Sequence, residues 1–289
     1  MTQDNGTNHE DSAAKAWWRT SIIDIAPGVI RMRGYPIEQL IGNVDFPSMV
    51  WLMLRGELPT PAQAALLQAV LVSAVDHGPQ APSIAMARMS VTCGVGINHA
   101  IASGVNALGD VHGGAGTQCM ELLQACEAAI AATADDRKAT ALADHIAAWR
   151  QLNGKFLPGF GHRFHPVDPR TTRLTALLEQ AVLRGEISGR FLQTGKLVQT
   201  LLAGQKPVPM NIDGITAVVL LELGFPSQLG RGIFVLSRSV GICAHAWEQS
   251  NQGGRIKGPL PPSLGFTYDG PAPRDLPASM DAGRKDHQT

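Results

Sequence analysis

From Pro61 to Gln249 the sequence is written in alanine- and leucine-rich runs, with very little of the strict two-residue alternation that a half-buried strand needs. PAQAALLQAVLVSAVD (61–76) carries Leu66, Leu67, Val70 and Val75 at helical spacings. TQCMELLQACEAAIAA (117–132), TTRLTALLEQAVLRG (171–185) and RGIFVLSRSVGICAHAWEQ (231–249) also read as helices. The one good strand candidate is GVIRMRG (28–34). An all-α fold is therefore predicted. The 289 residues, 44% of them hydrophobic, can fill a substantial core and allow one main domain with a smaller one. Residues 1–15 and roughly 271–289 are polar and read as mobile tails.

The breaks between helices carry the chemistry. VDHGPQAPS (75–83), LGDVHGGAG (108–116), LPGFGHRFHPVDPR (157–170) and VPMNIDGI (208–215) each set a histidine or aspartate among glycines and prolines. Such residues bend the chain and let backbone approach a ligand closely. Four such points, each beside an ionisable side chain, suggest one shared site.

Several function classes are excluded. Lys plus Arg balance Asp plus Glu at 24 each, and no basic run is present, so nucleic acid is not an expected partner. Cys93, Cys119, Cys126 and Cys243 are scattered without CxxC spacing and read as reduced, mostly buried thiols. The polar, acidic beginning MTQDNGTNHEDSAAK resembles no signal segment, and Arg238 and His245 interrupt the most apolar stretch (232–247). The expectation is a cytoplasmic protein without membrane contact. GGAGTQC has Cys119 where a third dinucleotide-binding glycine would stand, and neither GxxxxGK[ST] nor GxSxG occurs. His162, His165 and Asp168 are spaced like metal ligands, but Arg163 and Arg170 beside them would repel a divalent cation, so no metal is expected.

Metal-free acid–base chemistry on a carboxylate substrate remains. His77, His112 and His162 can donate to oxygen or act as acid or base near neutral pH. Asp213 in NIDG can serve as a base, or simply cap the helix from Gly214 onward. Arg163, Arg170 and Arg238 offer fork-shaped donors for carboxylate or phosphate. Arg238 stands in an otherwise apolar helix, where it either pairs with an internal acid or awaits an anionic ligand. His99, His145 and His245 have no supporting context and default to packing or surface roles.

Together these segments resemble the citrate synthase superfamily from about Thr20 to Gly270. GVIRMRGYPIEQL with VWLMLRGELPT is similar to its N-terminal signature, and GDVHGGAG to its histidine-glycine-glycine loop. GFGHRFHPVDPR is similar to its second histidine loop, NIDG to its catalytic aspartate segment and LSRSVGICAHAWEQ to its arginine-bearing helix. The resemblance implies a helical fold with a shortened large domain and a smaller helical subdomain at roughly 165–215. It implies a coenzyme A (CoA) ester and a di- or tricarboxylate as substrates, no tightly bound cofactor, and a homodimer or larger homo-oligomer. By motif position Asp213 would be the carbon base, His112 the donor to the thioester oxygen, and His162 the group on the oxaloacetate carbonyl. His77, Arg170 and Arg238 would hold carboxylates, while Pro158, Gly159, Phe160, Gly161 and Arg163 would lie against CoA.

Two departures sharpen this. Few residues separate GELPT from His77, and the loop reads VDHGPQAPS; both features resemble the short citryl-CoA lyase members and the C-terminal part of ATP-citrate lyase. Near the C-terminus RIKGPLPPSLGFTYDGP keeps Tyr268 and Gly270 but has Gly258 and Leu260 where synthases carry an intersubunit arginine, so that either one carboxylate clamp is missing or Arg255 or Lys257 supplies it. The expected activity is cleavage of citryl-CoA to acetyl-CoA and oxaloacetate. The alternatives are condensation of an acyl-CoA with a 2-oxo acid, and a non-catalytic acyl-CoA-binding protein.

Overall fold

A computed structural model describes residues 16–161, 168–203, 208–265 and 267–274. The tail at 1–15, most of that at 271–289, and His162, Arg163 and His165 lie outside these residues.

The described chain opens on a small antiparallel sheet of β1 (Ile23–Ala26), β2 (Val29–Met32) and β3 (Tyr35–Pro36), in that spatial order. GVIRMRG predicts only the middle strand. The others escape notice because the sheet has little buried face to impose an alternation: Ile25 and Ile30 are both exposed. A turn pairs the first two strands instead. Pro27 fixes one backbone angle, Gly28 supplies φ +73°, and Ala26 comes to lie opposite Val29.

Helices follow: α1 (Ile37–Leu40), α2 (Phe46–Arg55), α3 (Pro61–Ala74), α4 (Pro82–Thr92), α5 (Ile97–Asn106) and α6 (Ala115–Ala131). After them come α7 (Lys138–Asn153), α8 (Pro169–Leu183), α9 (Arg190–Leu202), α10 (Ile212–Glu222) and α11 (Gly230–Gln252). Their starts are locally encoded. Thr60 and Gln63 form a reciprocal capping box ahead of α3, and Asp168 caps α8 with a proline just inside. Asp168, Pro169 and Arg170 thus form a helix start.

The described chain is mostly helical, as the sequence predicts. Its centre is α10, whose Ile215 and Ala217–Leu221 are buried, so the helix is apolar around its circumference. Helices α3, α6, α8 and α9 pack on it. Each fully buried Leu or Ile there contributes roughly 1.5–3 kcal/mol. A second, smaller core joins Ile84 and Ala87 of α4, Ala100 of α5, and Ile242 and Ala246 of α11. Helix α11 belongs to both cores, giving Ile233 to the large one and Ile242 to the small one. Elements with ends near this helix therefore meet at the junction of the two cores. Among the described residues no helix is long and apolar enough to cross a membrane.

Candidate active site

A cleft of about 320 Å³ opens at that junction. It is lined by His77, His112, Arg170, Asp213 and Arg238, with Ala74, Ala81, Pro82, Ile212, Thr216 and Phe234 as its less polar wall. Five residues singled out for acid–base or carboxylate chemistry, spread from 77 to 238, thus share one cavity. A second groove of about 570 Å³, lined by Glu121, Trp149, Asn153, Phe156 and Pro158 among others, adjoins it at Ala115.

His112 sits in the tight loop between α5 and α6, where the Gly109 amide donates to the His112 carbonyl at 2.8 Å. Its Nε2 lies 3.2 Å from the backbone N–H of Ser83, in the first turn of α4. A backbone N–H can only donate, so Nε2 accepts and the ring proton resides on Nδ1. Ala81 caps α4 without a side-chain hydrogen bond, so His112 satisfies one of the amides the helix start leaves open. Burial, and then the Arg238 charge, hold its pKa below the ordinary imidazole value. His112 is therefore a neutral donor through Nδ1–H.

Asp213 lies in the first turn of α10, but it does not cap that helix. Asn211 does: its Oδ1 accepts from the amides of Asp213 and Gly214 at 2.9 and 3.1 Å. This removes the capping alternative for Asp213 and leaves its carboxylate lining the cleft. The Asn211 amide also donates to the Gly161 carbonyl at 2.7 Å, while backbone bonds join Gly161 to Pro209 and Asn211 to Gly159. The segments 158–161 and 208–211 are thereby zipped together. Glycine is required at the contact: Gly159 has φ +82°, and a Cβ there would collide with Cys119 Sγ and the Gly214 backbone.

Arg238 is 5% exposed. Its Nε donates to the Ala74 carbonyl at 2.9 Å, and its guanidinium carbon lies 4.9 Å from the Phe234 ring centre. Among the described residues no carboxylate forms an ion pair with it, which favours the anionic-ligand alternative over the internal acid. Burial pulls its pKa below the ordinary guanidinium value; the Asp76 charge opposes that, Arg170 adds to it and Asp213 opposes it. Arg170 lines the same cleft and also has an internal partner. It is clamped by Asp168 in two parallel contacts, Nε to Oδ1 at 3.0 Å and Nη2 to Oδ2 at 2.7 Å. Half of its fork is therefore engaged inside the protein, because the buried Asp168 needs a partner as well as its capping role.

Sequence reasoning missed Ser83 and Asn211, which orient His112 and the start of α10. An Asn directly before the helical run was the available signal for the second. His245 also has a partner, Asp76, at 3.3 Å. The thiols are less uniformly buried than predicted: Cys119 and Cys126 are buried, Cys243 is half-buried and Cys93 exposed. Burial, followed by the charge of Asp213, raises the Cys119 pKa far above the usual thiol value, so this thiol stays protonated. Among the described residues no group of three His, Cys, Asp or Glu could hold a metal ion.

A family model described as "Citrate synthase, C-terminal domain" matches residues 11–69 and 60–259. The chain belongs to the citrate synthase family. Within the citrate synthase family it is 29% identical over 219 residues to the citrate synthase of Heyndrickxia coagulans, covering 74% of this chain and 54% of that one. Putative citrate synthase 2 of Mycobacterium tuberculosis is 29% identical over 230 residues, covering 78% of this chain and 56% of the relative. The chain thus spans about half the length of the curated relatives it matches. Citryl-CoA lyase from Hydrogenobacter thermophilus aligns with a TM-score of 0.80 and 31% identity, over 91% of this chain and 99% of that one. ATP citrate lyase from Methanothrix soehngenii, solved with citrate and coenzyme A, shares the fold at TM-score 0.69 and 17% identity, over 94% of this chain and 45% of that one.

Proposed function

We propose that this citrate synthase family member is a citryl-CoA lyase, cleaving citryl-CoA to acetyl-CoA and oxaloacetate without a metal. The observation that carries the reading is the convergence of Asp213, His112, His77, Arg170 and Arg238 on one cleft. The similarity to citryl-CoA lyase over almost the whole of that shorter protein supports it.

His162, outside the described residues, takes the proton of the citryl hydroxyl. The carbon–carbon bond then breaks as that oxygen becomes the carbonyl of oxaloacetate, and the bonding pair passes into the thioester enolate. Charge develops on the thioester oxygen, where a fixed neutral donor is worth most, and the Nδ1–H of His112 supplies one. Asp213, carrying the proton, delivers it to the enolate carbon and ends as the carboxylate. His77, Arg238 and the half of the Arg170 fork that Asp168 does not take hold the substrate carboxylates. The groove adjoining the cleft at Ala115 gives the long CoA arm a course past Pro158.

The test is to incubate purified protein with citryl-CoA and follow oxaloacetate by coupled reduction and acetyl-CoA by mass spectrometry. Both products are expected in equal amounts, and Asp213→Asn should abolish them. No cleavage, with Asp213→Asn matching the wild type, overturns the reading. The citrate synthases among the relatives favour a second reading, condensation of acetyl-CoA with oxaloacetate. Sustained release of free CoA from that pair marks a synthase, because a lyase does not hydrolyse the thioester.

A further inference from the structure

The loop carrying His77 is laid along α11 residue by residue. Ser237 Oγ donates to the Leu71 carbonyl and Arg238 Nε to the Ala74 carbonyl, so two side chains of α11 take up carbonyls at the end of α3. One turn on, Gly241 packs so closely that a Cβ would collide with the Val75 carbonyl oxygen and crowd the Asp76 side chain. A further turn brings His245 Nε2 to 3.3 Å from Asp76 Oδ1. Positions 238, 241 and 245 share one helix face and engage 74, 75 and 76 in order. His77 is the next residue.

The far side of His245 is fixed as well. Its Nδ1 lies 3.1 Å from Arg88 Nη1. A guanidinium can only donate, so Nδ1 accepts and the proton sits on Nε2, facing Asp76. Arg88 is held in turn by Glu248 at 2.5 Å and by Gln252 at 2.7 Å. The other carboxylate oxygen of Asp76 accepts from the Gly78 amide at 3.0 Å, closing the turn Asp76–His77–Gly78 around His77. Burial acts to raise the Asp76 pKa, but the Gly78 amide and His245 outweigh it and hold the carboxylate charged.

We infer that His245 is a positioning residue: through Asp76 it fixes the turn presenting His77 and keeps His77 in register with Arg238 on the same helix. Arg88 sits mid-way along α4, the helix whose first turn orients His112 through Ser83. One helix thus sets the placement of the thioester donor and, through His245, of a carboxylate holder. The role of His77 in this inference rests on the lyase reading of the cleft.

His245→Ala is expected to raise the KM for citryl-CoA about tenfold, as loss of a charge-assisted contact would, with kcat little changed. A purely structural residue would instead reduce the active fraction, lowering the apparent kcat and leaving KM alone. His245→Gln, whose amide reaches Asp76 from about the position of Nε2, should restore most of the loss and guards against a misfolded alanine variant. Hydrogen–deuterium exchange of residues 74–81, which needs no turnover, should quicken in His245→Ala and return towards wild type in His245→Gln, with α10 unchanged. Unaltered exchange in the loop, or glutamine behaving like alanine in both measurements, overturns the inference. If wild type does not cleave citryl-CoA the lyase reading fails, and loop exchange together with oxaloacetate binding by calorimetry still decides the role of His245: weaker binding by His245→Ala supports it, and equal binding overturns it.

Discussion

On the α10 side the cleft is shaped by backbone. Gly159 and Gly214 touch, segments 158–161 and 208–211 exchange main-chain hydrogen bonds, and Asn211 ties both to the helix start. On the α4–α11 side it is shaped by side chains: His112 on the Ser83 amide, Arg238 on the Ala74 carbonyl, His245 on Asp76. A backbone wall places atoms tightly and, the Asp213 carboxyl it carries aside, is indifferent to pH, but leaves no room for a methyl group. A side-chain wall tolerates small shifts yet carries the charges that recognise an anion, so its state follows the protonation of its members.

The largest effect separates chemistry from scaffold within the backbone wall. Asp213→Asn should lower kcat on citryl-CoA by about 10²–10⁴-fold, the usual contribution of a placed acid or base. Thermal stability should stay at the wild-type value, because Asn211 caps the helix. A matching fall in melting temperature would show that Asp213 is scaffold.

Next comes the collision built into that wall. Gly159→Ala should cost roughly 1–3 kcal/mol in denaturant unfolding, from overpacking against Cys119 together with strain at positive φ. A neutral result would mean the two segments separate easily. Removing the tie, Asn211→Ala, should cost about 1 kcal/mol, as loss of a helix cap does, and raise amide exchange at residues 159–161.

The side-chain wall should reveal itself by pH. The folded His112 pKa lies below its unfolded value of 6.5, so the unfolded chain takes up a proton first as pH falls. Stability is then lost below about pH 6.5, and above it His112 contributes no pH dependence. Asp76, lowered from 3.8, keeps its full contribution above about pH 3.8 and loses it only as the pH falls from there towards its smaller folded value, so it is silent in this window. Denaturation midpoints of the wild type should therefore drop more between pH 7 and 5 than those of His112→Gln. Equal slopes would break the distinction between the walls. The smallest expected effect is a control: at Gly232 in α11 an added Cβ would meet only open space, and Gly232→Ala should stabilise by up to about 1 kcal/mol without altering turnover.

Much of this was legible in the chain itself. The helices at 61–76, 117–132, 171–185 and 231–249 appear within a few residues of their predicted bounds, since apolar spacing reflects local geometry. The glycine- and proline-rich breaks marked the site, because a turn that admits a ligand requires those residues wherever it occurs. The small sheet was only partly legible, having little buried face to write an alternating pattern.

The partners of the site residues were decided by tertiary structure. A histidine in the sequence is equally a donor, an acceptor or a packing residue. His112 becomes a neutral Nδ1 donor only because an amide of α4, 29 positions away, meets its other nitrogen. His245 gains its partners because α11 crosses both α4 and the loop after α3. Arg170 lines the cleft with part of its fork clamped by an aspartate two residues before it, and Arg238, for which pairing with an internal acid had been an open alternative, lines the same cleft. Periodicity and turn chemistry are properties of neighbours along the chain, so the sequence alone carries them. A hydrogen-bond direction or the surroundings of a buried charge belong to residues brought together from a distance, and only packing the two cores around α11 determines them.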